Sequence, residues 1–86
     1  MNTVELIEKA LKEQLEATKV EIIDNSSAHA SHPEAQKSGG GHYNVTVVSP
    51  KFEGLSLIEQ HKLVYQATGE LIRNGQIHAI SINTEA

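Results

Sequence analysis

The sequence predicts a small α/β (α+β) domain in the order αββαβ, its three strands forming one mixed sheet with helices on one face. Three observations carry this reading. Two segments repeat apolar residues at helical spacing behind capping signals, two alternate apolar and polar residues at strand spacing while a third is β-branched, and only the last strand is joined to the strand before it through a helix. With 86 residues and 38% hydrophobic content, residues 1–86 are expected to form a single domain around one modest core.

In the first element, Asn2 is placed to cap a helix with Glu5 reaching back, and Val4, Ile7, Leu11 and Leu15 follow at helical spacing. Glu5 to Lys9 and Glu8 to Lys12 are i, i+4 pairs on its solvated face. VEIID, residues 20–24, is β-branched and runs into Asp24-Asn25-Ser26-Ser27, whose side chains favour turns by bonding nearby backbone. YNVTVVS, residues 43–49, places Tyr43, Val45 and Val47 on one face and Asn44, Thr46 and Val48 on the other. It is expected to pair antiparallel with the first strand.

Between these strands lie about sixteen residues, long for a connection in a compact domain. HASHPEAQKSGGGHY, residues 29–43, brings His29, His32 and His42 into that region, and Pro33 with Gly39-Gly40-Gly41 predicts a flexible backbone. A short helical turn is expected near Phe52 to Leu55. Ser56 then opens a capping box with Glu59, and Leu57, His61, Val64, Tyr65, Thr68, Leu71 and Ile72 trace the stripe of a second helix running to about Arg73. Gly69 within it suggests a close backbone contact, and Asn74-Gly75 a left-handed stop. In IHAISIN, His78, Ile80 and Ile82 alternate with Ile77, Ala79 and Ser81, as in a strand beside a core. The helical crossover lets it lie parallel to the second strand.

Composition narrows the chemistry. With no cysteine there is no disulfide or thiolate ligand, and a reducing cytoplasmic setting is the expectation. No run of about 18 apolar residues is present, so no membrane association is expected. The net charge of -4 opposes phosphate backbones, leaving nucleic acid as a weak alternative that would use Lys51 and Lys62. No set of carboxylates, or of serine with a base, has a spacing that implies a catalytic site, so no enzymatic turnover is expected.

The histidines are the remaining chemistry-bearing groups. From periodicity alone His78 reads as a half-buried strand residue near Ile80, His61 as a hydrogen-bonded semi-core residue, and His42 as a structural residue at the loop exit without a ligand role. His29 and His32 read as polar loop residues whose i, i+3 spacing also allows both to meet one metal. Adventitious zinc or copper on that loop, in a small homo-oligomer, is one outcome of such spacing.

FEGLSLIEQHKLVYQATGEL and IHAISI, with DNSSAHASH and GGGHYNVTVVSP, together resemble the BolA family over nearly the whole chain. Phe52, Gly54, His61, Val64, Tyr65, His78 and Ala79 occupy the family's pattern positions, whereas Gln60 and Lys62 stand where relatives usually have arginines. The resemblance implies a type II KH-like fold without the Gly-x-x-Gly loop. It also implies a monothiol glutaredoxin partner and a bridging [2Fe-2S] cluster shared with that protein and glutathione, with no cofactor in the isolated chain. The ligands it implies are His78 from the last strand and His29 from Ser26-Ser27-Ala28-His29, with His32 the alternate. A role in transcription is the family's other implied function, and a homodimer an alternative state of the free protein.

Overall fold

The computed structural model describes residues 2–25 and 41–86. Helix α1 spans Thr3–Leu15, strand β1 Lys19–Asp24 and strand β2 Gly41–Val48. A 3-10 turn at Pro50–Phe52 is followed by helix α2, Leu57–Ala67, helix α3, Gly69–Arg73, and strand β3, Ile77–Glu85. The sheet order is β1-β2-β3, with β1 antiparallel and β3 parallel to the central β2. This is the mixed three-stranded sheet that the alternation and the helical crossover imply.

Local signals set the helix starts. The Asn2 side chain accepts from the Glu5 backbone N–H while the Glu5 carboxylate accepts from that of Asn2, and Ser56 and Glu59 do the same for α2. Each box satisfies backbone donors that have no partner within the helix. On α1 the Glu8–Lys12 pair forms at 2.9 Å, both side chains near half exposed, and such a pair contributes only about 0.3–0.5 kcal/mol. The helix closes at Glu16, whose φ of 52° is left-handed.

The core lies between the helices and one face of the sheet. Ile7, Leu11 and Leu15 of α1 meet Tyr43, Val45 and Val47 of β2, and Phe52, Val64, Ala67, Leu71 and Ile77 complete the cluster. Along β2, buried and half-buried residues alternate without interruption. The two buried polar residues, Ser49 and Thr68, are both hydrogen-bonded, and among the described residues no buried side-chain polar atom lacks a partner.

Five expectations need correction. The stripe on the second helix is rotated: Val64, Ala67 and Leu71 are buried, whereas Leu57 and Tyr65 are 63% and 47% exposed and His61 is half-buried. Spacing of three and four residues identifies a helix, but two adjacent rows satisfy it and only packing chooses between them. The helix also divides at Thr68, whose hydroxyl donates to the Val64 carbonyl at 2.9 Å, a local bond that bends helices. Gly69 makes no close backbone contact, since a Cβ there would first meet the end of the Arg73 side chain. The short helical turn begins at Pro50, because the Ser49 hydroxyl accepts from the Lys51 N–H and caps it.

The fifth correction concerns β3. His78 does not alternate onto the face of Ile80 and Ile82, because the register shifts between Gly41 and His42: Gly41 pairs with Ile77, but His42 pairs with Ala79. His78 is the extra residue of a β-bulge. Ile77 is therefore buried with Ile80 and Ile82 half-buried beyond the bulge, while His78 and Ala79 are both exposed.

Candidate functional site: two histidines at a bulge

The candidate site forms where β2 begins and β3 begins beside it. Parallel pairing sets both strands' first residues at the same end of the sheet. Gly41 enters β2 beneath the Tyr43 ring, and a Cβ at Gly41 would overlap the Tyr43 phenol, so only glycine allows this close approach. The Gly41 N–H donates to the Gln76 carbonyl at 3.2 Å, and the Asn25 N–H donates to the His42 carbonyl at 2.7 Å. Both ends of the 25–41 connection are thereby tied to the strand beginnings. Just ahead of β3, Gly75 has φ 84° and Gln76 donates its N–H to the Asn74 side chain, turning the chain from α3 into the strand.

This framework brings His42 and His78 together. Their ring centroids are 5.2 Å apart with a tilt of 38° between the planes. His42 is half-buried on the face of β2 opposite the core, and His78 is exposed. Bulges are rare in parallel pairs and re-aim side chains near functional sites, and here the extra residue is itself a histidine. A pair of imidazoles can ligate a borderline transition metal, each ring using one nitrogen and keeping the other for a hydrogen bond.

His78 is exposed on a bulge and is not a strand residue packed beside Ile80. His29 and His32 lie outside the described residues, as do Ser26, Ser27 and Ala28. His42, read as a structural residue, is the imidazole that the fold sets against His78. The signal that could have found it is the equivalence of strand starts in a parallel pair, which puts GHY and IHA at one edge.

The two lysines stand elsewhere. Lys51 lies 3.8 Å from the Glu16 carboxylate, both side chains substantially exposed. Lys62 is an exposed residue of α2, near enough to Glu59 to favour its carboxylate. No helix among the described residues is long and apolar enough to cross a membrane.

A three-stranded mixed sheet, covered by helices on one face and presenting a histidine at a bulge, defines a small α+β domain whose exposed chemistry is imidazole. The chain belongs to the BolA-like protein family, whose model matches residues 11–86. A BolA-like protein of Dictyostelium discoideum is 41% identical over 98% of this chain and 74% of its own length. A protein of Vibrio cholerae named DNA-binding transcriptional regulator BolA is 35% identical over 93% of this chain and 71% of its own.

The fold agrees with solved relatives. BolA1 of Arabidopsis thaliana superposes with a TM-score of 0.80 at 33% identity, covering 99% of this chain and 92% of that one. The BolA domain of SufE1 from the same plant gives 0.78 at 30% identity, covering 99% and 93%. Several curated relatives are longer: the chain spans 21% of the chloroplastic/mitochondrial SufE-like protein 1 and 51% of the chloroplastic BOLA1 of Arabidopsis thaliana.

Proposed function

We propose that this protein is a non-enzymatic partner of a monothiol glutaredoxin in iron–sulfur cluster trafficking or iron regulation. It co-ligates a bridging [2Fe-2S] cluster through His78 and a histidine of the 25–41 connection. His29 is the proposed connection ligand and His32 its alternate. The observation that carries this reading is the exposure of His78 on a bulge, beside the point where both ends of the connection are hydrogen-bonded to the sheet.

The donor set suits such a group. A chain without cysteine cannot hold a cluster alone, but neutral imidazole ligates iron, and histidine in place of cysteine raises a cluster's potential. The cluster supplies redox-active iron and sulfide. What this chain contributes is the position of His78, fixed by backbone pairing on both sides of the bulge, and the tethering of the connection beside it. Cytoplasm remains the proposed location.

The test is the visible absorption and circular dichroism of the protein mixed anaerobically with a cluster-loaded monothiol glutaredoxin and glutathione, beside a His78→Ala control. A new spectrum that the control lacks is the expected result, and loss of that spectrum in His29→Ala would identify the connection ligand. An unchanged spectrum with no heterodimer on a sizing column would overturn the proposal.

A second reading, a nucleic-acid-binding regulator, is favoured by the name of the Vibrio relative. The net charge of -4 and the proximity of Lys51 to Glu16 weigh against it. Phosphate contacts would make binding fall steeply with salt, so an absence of mobility shift at low salt would dispose of this reading for the isolated protein.

A further inference from the structure

We propose that His42 and His78 form a two-imidazole site for a zinc-class divalent cation, assembled by the sheet and independent of His29 and His32. The geometry is suited to it. With a Zn–N distance of about 2.0–2.1 Å, an imidazole centre sits ~3.2 Å from the metal, so two ligands at a tetrahedral angle have ring centres ~5.2 Å apart. The His42 and His78 centroids are separated by 5.2 Å.

The pair is also held in place before any ion arrives. His42 sits on the central strand, bonded to Asn25 through its carbonyl, and His78 sits between the Gly41–Ile77 and His42–Ala79 pairings. His42 is therefore carried by paired backbone and His78 is flanked by it on both sides, which lowers the ordering entropy that ligation must overcome. Each needs only one nitrogen for the metal, leaving the other for a hydrogen-bond partner.

Among the described residues no group of three potential ligands gathers. With two protein ligands, a tetrahedral ion would leave about two of its four positions to water or to donors from another molecule. Neutral imidazole selects zinc, copper or nickel over magnesium or calcium, which prefer oxygen. This site stands apart from the glutaredoxin reading, although both use His78.

The experiment is a titration of the full chain with Zn2+ alone, read from the two-dimensional 1H–15N spectrum of the imidazoles. Zinc is expected to shift the His42 and His78 signals together in the unsubstituted protein and equally in a His29→Ala/His32→Ala variant, whose affinity stays within about twofold. Because loss of a mere supporting group around a metal costs 10–100-fold in affinity, His42→Gln and His78→Gln should each weaken binding by at least about tenfold. Far-UV circular dichroism checks that both variants fold. Zinc shifts confined to His29 and His32, or an affinity unaffected by His42→Gln, would overturn the proposal, and the measurement on the unsubstituted chain decides it even if a variant unfolds.

Discussion

The Ser49 hydroxyl donates to the Leu15 carbonyl across 2.5 Å, joining the end of α1 to the exit of β2 at a fully buried position. The same oxygen accepts from the Lys51 N–H at 3.1 Å, so one side chain finishes a helix and starts the 3-10 turn. Ser49→Ala would leave a helix-terminal carbonyl buried without this donor. The expected cost is about 1–3 kcal/mol, read as a lower urea midpoint at unchanged slope. A midpoint equal to that of the unsubstituted protein would show that another donor replaces the hydroxyl.

Gln60 ties α2 to the turn before it and to β3. Its amide donates to the Leu55 carbonyl at 2.9 Å, and its carbonyl oxygen accepts from the Thr84 hydroxyl of β3 at 2.5 Å. A double-mutant cycle of Gln60→Leu and Thr84→Val should show a coupling of about 0.5 kcal/mol or more, since residues in one hydrogen-bond network are not additive. Strict additivity in urea denaturation would separate Gln60 from the strand.

Glu16 ends α1 in a left-handed conformation that glycine adopts without a steric penalty. Its carboxylate reaches Lys51 only at 3.8 Å, between exposed side chains, which contributes little. Glu16→Gly is therefore expected to raise stability by roughly 0.5–1 kcal/mol, after allowing for the greater freedom of glycine in the unfolded chain. A fall in melting temperature would show that the ion pair outweighs the backbone strain.

Hydrogen bonds from the Ser56 backbone and then its side chain hold the Glu59 carboxyl below the ordinary carboxylate range, with Lys62 adding a smaller effect. A carboxyl lowered in the folded state stabilises the protein above its unfolded pKa, and the contribution is lost as pH falls through the folded one. The difference in melting temperature between the unsubstituted protein and Glu59→Gln should thus be constant near neutral pH and shrink on acidification below about pH 4.3. A difference independent of pH would refute this role of the cap.

The legible parts of the fold were those written locally. Asn2 with Glu5 and Ser56 with Glu59 announce helix starts within four residues, and the strict alternation of Tyr43, Val45 and Val47 names the core face of β2. What could not be read depended on distant partners. The bulge at His78 is defined by Gly41 and His42, residues far back in the chain, and a period of two cannot reveal an inserted residue. The break at Thr68 rests on a hydroxyl choosing its own helix carbonyl, and the exposure of Leu57 and Tyr65 on which row of α2 meets the sheet. The family pattern singled out His78, whereas the closeness of His42 to it emerged only from the register that sets the two side by side.

The position of β3 gives the order of synthesis a meaning. β2 sits at the centre of the sheet, yet one of its two edges is completed by Ile77–Glu85, which leaves the ribosome after the other described elements. A nascent chain can pair β1 with β2 but cannot juxtapose His42 and His78 until the final strand has emerged and crossed over α2 and α3. The imidazole pair is therefore made only when β3 joins β2, and a nascent chain that stops short of this strand carries His42 without His78 beside it.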